Sequence, residues 1–241
     1  MTDVHGTAGE EEVGHVHSDV SGGWLRPAVF GAMDGLVTNI ALVAGVGGGG
    51  ASAQFIVLTG MAGLVSGAFS MALGEYASVE TQNNQLRAEV DVERRELREH
   101  PKAELEELVE SYVDMGLTED TARRVAQEVH RDPELAVKVH ITQELGVDPD
   151  EQPSPWLAGF SSFFCFAIGA LFPLVPYLLG FDSLLAGLVV GGIGLVIAGA
   201  VVARYTARPW WLNGLRQLMF GVIAAGATYL VGALIGVSAA G

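Results

Sequence analysis

The sequence predicts an all-α membrane protein, with five transmembrane helices and a cytoplasmic helical metal-binding insert between helices 2 and 3. Three observations carry that expectation. Half of the 241 residues are hydrophobic, yet the formal net charge is −15. The charge is concentrated: 20 of the 28 acidic residues lie between Glu80 and Glu151, and 9 of the 13 basic residues lie between Arg87 and Lys138, a local net of −11 (9 minus 20). Around that segment run five apolar stretches of about 20 residues, the length a helix needs to cross the hydrocarbon core. Strong acidity turns away nucleic acid and favours cations as partners. The single cysteine, Cys165, allows no internal disulfide.

Residues 1–23 read as a disordered acidic tail. "HGTAGEEEVGHVHSD" carries His5, His15, His17 and three successive glutamates, and no basic segment precedes an apolar core as in a signal peptide. Residues 24–78 hold the first two spans, Pro27–Val46 and Ala53–Ala77, joined by "GGGGAS". Residues 155–241 hold the other three, Trp156–Leu179, Ser183–Ala203 and about Leu215–Val237, with "GFD" as a tight turn between the third and fourth. Arg26, the nine basic residues of the insert, and Arg204, Arg208 and Arg216 all fall on one side of this layout. The positive-inside rule therefore places the N-terminus and insert in the cytoplasm and the C-terminus outside. Trp24, Trp156, Trp210 and Trp211 fall at the same cytoplasmic interface, as an aromatic belt does.

Small residues recur one turn apart in the spans: Gly63–Gly67, Ser66–Ser70–Gly74, Gly187–Gly191 and Gly194–Ala198. Such pairs let helices approach closely, within the chain or between two copies of it. Pro173 and Pro176 in "LFPLVPYLL" free backbone carbonyls of span three, which must be satisfied inside protein or a wet cavity.

The insert, residues 79–154, reads as four helices and a linker. Gln82–His100 is polar and rich in helix formers up to Pro101. Lys102–Met115 carries Leu105, Leu108 and Tyr112 as an apolar stripe, and Gly116 ends it. Thr118 is expected to cap a third helix to about His130; Asp132-Pro133 starts a fourth, which Gly146 stops. "DPDEQPSP" leads stiffly back to the membrane. Glu93 and Glu96 share a helix face, as do Glu104 and Glu107, and His140 lies one turn from Glu144. Carboxylates with one imidazole suit Fe²⁺, Mn²⁺ or Zn²⁺ better than Ca²⁺ or Cu⁺. Because Arg94, Arg95, Arg98 and Lys102 are interleaved, spacing alone favours a solvated face of ion pairs over a metal site.

Two acids remain in the spans, Asp34 and Glu75. An ionisable group in lipid costs about 2.5–3.5 kcal/mol on insertion scales and marks a polar pathway or a buried hydrogen bond. Thr38 is one turn from Asp34, and Met71 one turn from Glu75, offering a hydroxyl and a thioether to the same faces.

The motifs "FGAMDGLVTN", "SGAFSMALGEYASV", "ERREL", "AELEEL" and "GALFPLVPYLL" resemble the vacuolar iron transporter family, including its bacterial branch, from about Trp24 to the end. The resemblance implies five spans per protomer, a homodimer with the cation path at the subunit interface, and Fe²⁺ or Mn²⁺ moved out of the cytosol in exchange for protons. It implies Asp34, Met71 and Glu75 in the transport path, and Glu93, Glu96, Glu104, Glu107 and Glu144 as metal ligands. Three positions depart from the family pattern: His140 and Ile141 replace methionines, and Met33 replaces the asparagine before Asp34.

The resulting expectation is a multi-pass protein of a bacterial plasma membrane, not an enzyme. It exports Fe²⁺, with Mn²⁺, Zn²⁺ or Co²⁺ as further candidates, has no prosthetic group, and meets lipids, protons and a second copy of itself. The cation is collected at Glu93, Glu96, Glu104, Glu107, His140 and Glu144 and passed to Glu75, Met71 and Asp34. A di-iron enzyme is the weaker alternative, since the spans and insert lack the Glu-x-x-His pattern of such sites. A membrane sensor or scaffold that binds metal without transport is the stronger one.

Overall fold

The computed structural model describes residues 23–205 and 209–240; the histidine-bearing tail and Arg208 lie outside them. The described residues form helices and no strands: α1 (Leu25–Gly48), α2 (Ala53–Glu99), α3 (Pro101–Asp114), α4 (Glu119–Val129), α5 (Pro133–Leu145), α6 (Pro155–Leu171), α7 (Val175–Leu178), α8 (Leu184–Val202) and α9 (Trp210–Ala240). Among them, α1, α2, α6 continued by α7, α8 and α9 are long and apolar enough to cross a membrane. This is an all-α membrane protein.

One element differs in kind from its expected form. The second span and the first insert helix are a single helix of 47 residues, α2, about 70 Å long at 1.5 Å per residue. Neither glycine nor proline occurs between Gly74 and Pro101, so nothing stops the helix where polarity changes. Similarly, α9 begins at Trp210, before the apolar run starts at Leu215. Its first two turns mix Trp210, Trp211 and Leu212 with Asn213, Arg216 and Gln217, of which Asn213 and Gln217 are buried, and Gly199 of α8 lies so close that an added Cβ would sit 2.7 Å from the Asn213 carbonyl.

Backbone contact through glycine holds α1 against α6. A Cβ on Gly35 would fall 2.2 Å from the Phe166 carbonyl oxygen, so any larger residue forces the helices apart. Phe166 in turn fills the space above Gly67 of α2, next to Ala68 and Ala170. Most of the small-residue pairs thus serve packing within the chain: Gly63 meets Leu42, and Gly187, Gly191 and Gly194 meet Tyr177, Ile40 and Leu36. Ser66, Ser70 and Gly74 are the exception, lying exposed on α2, with open space around Gly74.

The prolines of span three act as expected. At Phe172–Leu174 the helix tightens to 3₁₀ geometry, so Phe172 N–H reaches the Gly169 carbonyl and Val175 N–H the Phe172 carbonyl. Asn39 of α1 donates its side-chain amide to the Ala170 carbonyl.

In the insert, Leu108, Val109, Ala122 and Ala126 join α3 to α4, with Leu105 and Tyr112 packed alongside. Gly116 ends α3 with φ +101°, where a side chain would be strained. Thr118 precedes α4 but does not cap it; its hydroxyl donates to Thr121 Oγ1 at 3.0 Å or less (2.9 Å). Asp132 does cap α5, accepting from the Glu134 and Leu135 amides. The linker after Gly146 is strapped to α2, for Asn83 donates to the Pro153 carbonyl (3.0 Å) and Arg87 Nε to Gln152 (3.2 Å).

Candidate metal centre

Three helices of the insert converge on one imidazole. Glu93 comes from the extended α2, Glu104 from the first turn of α3, and His140 and Glu144 from α5. The capped start of α5 and the proline break after α2 set these helices side by side. His140 Nδ1 lies 3.3 Å from Glu93 Oε1, 3.6 Å from Glu104 Oε2 and 3.6 Å from Glu144 Oε1. Ligand atoms sharing one ion with bonds of about 2.1 Å and angles of 90–110° stand about 3.0–3.4 Å apart. The observed spacing is that of a cage slightly expanded, and Glu93, Glu104 and His140 are buried.

The charge balance is unusual for a protein interior. Among the described residues, no arginine or lysine bridges Glu93, Glu104, Glu107 or Glu144. Arg94 turns to Glu134 (2.7 Å), Arg123 to Glu106 (2.6 Å) and Lys138 to Asp148 and Asp150. Of the interleaved cations that favoured a solvated face from spacing, Arg94 points elsewhere, and among the described residues Arg95, Arg98 and Lys102 form no ion pair with these glutamates. Burial, then repulsion from Glu144, Glu104, Glu107 and Glu96, pushes Glu93 up to about 7. Burial first and neighbouring carboxylates second also raise Glu104 and Glu144. His140 is held below its ordinary value by burial, partly offset by Glu107, so it stays neutral among the acids. Glu93 Oε1 is buried with no hydrogen-bond donor. A buried, unsatisfied oxygen beside a neutral imidazole fits a divalent cation in the chemistry of every donor present.

Of the six expected metal residues, four therefore meet. Glu96 and Glu107 stand at the edge: Glu107 is exposed, Glu96 approaches His100 at 3.8 Å, and both act on the cage through their charge. The sequence reading missed His130, at the end of α4, whose Nε2 lies 3.0 Å from His140 Nε2. Its signal was a second histidine ten residues before His140, across the turn at Asp132-Pro133.

In the membrane half, Asp34 is half-buried and accepts a hydrogen bond from Thr38 at 3.2 Å, the partner its spacing predicts. Met71 packs against the Ala68–Phe166–Ala170 cluster, and Glu75, one turn on, is half-buried. Met33 faces elsewhere, lining an apolar cavity of about 320 Å³ with Cys165 and Phe172 between α1, α6 and α8. Continuity of α2 adds a relation that two separate helices would lack. Glu75 and Glu93 are 18 residues apart on one helix, which is five full turns, so both stand on the same face about 27 Å apart.

Several known proteins have similar sequences along most of the chain. The chain is 34% identical over 228 residues to the vacuolar iron transporter of Acanthamoeba castellanii, covering 92% of this chain and 83% of that protein. It is 24% identical over 237 residues to vacuolar iron transporter 1 of Arabidopsis thaliana, covering 97% and 90% of the two. Against vacuolar iron transporter 1 of Oryza sativa subsp. japonica it is 26% identical over 212 residues, covering 87% and 84%. The model of the VIT family matches residues 25–233, from the first turn of α1 through most of α9. Since that match takes in both the membrane helices and the cage between them, the chain belongs to the VIT family.

Proposed function

We propose that the protein is a proton-coupled antiporter that exports Fe²⁺, and also Mn²⁺, from the cytosol of a bacterial cell across its plasma membrane. The observation that carries this reading is the convergence of Glu93, Glu104 and Glu144 on His140 Nδ1, with Glu93 on the same helix that carries Glu75 and Met71 through the membrane. The relatives are named as vacuolar iron transporters, and the donor set of carboxylates and one imidazole suits Fe²⁺, Mn²⁺, Co²⁺ or Zn²⁺. The insert, cytoplasmic by the positive-inside rule, collects the ion, with Glu96 and Glu107 drawing it in by charge. It passes to Glu75, then to Met71 and Asp34, and leaves outside. A carboxylate holds either a proton or a share of a cation, so metal leaving and proton entering use the same oxygens. Two copies pair along α2, where Ser66, Ser70 and Gly74 are exposed among the described residues.

A metal-binding sensor or scaffold would have the same cage, so flux decides between the two. In proteoliposomes loaded with a metal-quenched dye, Fe²⁺ or Mn²⁺ enters only when a pH gradient is imposed. Tight binding by the insert with no gradient-driven entry of any tested ion defeats the transporter reading and leaves the sensor.

A further inference from the structure

The contact between His130 and His140 plays no part in the reading above. It joins the end of α4 to the middle of α5, with the rings edge to face at 62° and the two Nε2 atoms 3.0 Å apart. Two ring nitrogens that close share a single proton, because two N–H groups would collide and two lone pairs would repel. Where that proton sits decides what His140 can do. On His140 Nε2, it leaves a lone pair at Nδ1, facing the oxygens of Glu93, Glu104 and Glu144. On His130 Nε2, it leaves the proton of His140 at Nδ1, in the seat a cation would take.

We propose that His130 is a positioning residue of the cage: its Nε2 accepts the hydrogen bond of His140 Nε2–H and holds His140 in the tautomer whose Nδ1 binds the cation. The inference rests on the cage being a cation site. An ion at Nδ1 lies across the ring from His130, so His130 orients the ligand without touching the ion. Ligating histidines are commonly fixed this way by a carboxylate, a carbonyl or water, and the bond makes the ligating nitrogen more basic. Here a second imidazole fills that role. It is half-buried beside the α3–α4 core, which limits competition from water for the same bond.

The test is Co²⁺ titration of the purified full chain in detergent, by calorimetry, with the melting temperature of each metal-free variant recorded. His130→Leu weakens Co²⁺ binding about 10–100-fold. His130→Gln, whose amide oxygen can accept the same bond, recovers most of the affinity. X-ray absorption at the cobalt edge counts one imidazole on the ion in wild type and in His130→Gln. Wild-type affinity in His130→Leu overturns the proposal, as does a His130→Gln variant that folds and binds as weakly as His130→Leu. Two imidazoles on cobalt overturn it as well, by making His130 a ligand. Should His130→Leu fail to melt cooperatively, His130→Gln and the imidazole count decide. The control is Glu93→Gln with Glu104→Gln: if it binds Co²⁺ like wild type, the cage itself is not the cation site, and the role of His130 falls with it.

Discussion

The acids of the insert and the acids of the membrane half live in opposite surroundings. Glu93 and Glu104 are buried against each other and around one neutral imidazole, with no arginine or lysine bridging them among the described residues. Asp34 and Glu75 are half-buried, and among the described residues neither belongs to a cluster of three or more acidic, histidine or cysteine ligands; Asp34 has the hydroxyl of Thr38 for company. A packed group of like charges is at odds with itself until a cation arrives, so it holds that cation well. A lone carboxylate in a span takes one cation at a time, proton or metal, and lets it go. On the proposed reading the first kind of site collects and the second kind passes.

The largest effect expected from that contrast is at Asp34. Asp34→Ala brings gradient-driven metal flux in proteoliposomes to the protein-free background, while Co²⁺ affinity of the insert is unchanged. Retained flux would remove Asp34 from the path. A loss of insert affinity would instead mean that the two sites are one system and the contrast is false.

Glu93→Gln gives the mirror result. It removes the most central carboxylate of the cage and leaves a neutral amide of the same size. Metal affinity falls by at least about 10–100-fold, the loss that removing a mere outer partner of a metal ligand already brings, whereas flux at saturating metal is kept. If maximal flux falls as far as in Asp34→Ala, the cage is an obligatory stop in the path and not a collector.

Proton competition is the next effect in size. Glu93 is raised from the usual carboxylate range to about 7, so below that pH a metal ion must displace its proton. His140, lowered by burial, is neutral there and adds no second proton near pH 7. With Glu104 and Glu144 raised as well, apparent affinity therefore falls about tenfold or more for each pH unit below 7. Glu93→Gln flattens the profile in that range. A wild-type affinity that stays constant from pH 6 to pH 8 would assign the raised proton affinity to a group outside the cage.

Much of this was legible in the sequence, and the unread parts have physical reasons. The apolar runs marked the spans, and the caps at Asp132 and Gly146 marked α5, because these depend on local pattern. The unbroken α2 was not marked, since hydropathy changes at the membrane surface while helix propensity does not. Glutamate spacing alone favoured a solvated face; the family resemblance named the glutamates as metal ligands, and neither said what faced them. Only tertiary packing sends Arg94 to Glu134 on another helix and leaves Glu93 beside His140. His130 carried no spacing signal toward the glutamates, because its partner is reached across a turn between helices and not along one.

That same rotation of the arginines supplies the smallest expected effect and a check on the comparison from its quiet side. Arg94 sits one residue from Glu93, and by sequence it is the cation best placed to neutralise it. In the fold its guanidinium reaches away, to Glu134 at 2.7 Å and Asp91 at 3.8 Å, with both pairs largely in solvent. Exposed pairs of this kind contribute little, because water already screens them. Arg94→Ala is therefore expected to leave Co²⁺ affinity, its pH profile and the melting temperature within the scatter of replicate measurements. A clear gain in affinity would show that the arginine competes with the metal for Glu93, returning the insert to a face of ordinary ion pairs. Unchanged binding, set beside the loss in Glu93→Gln, would separate two adjacent residues on one helix into one that serves the cage and one that serves the surface.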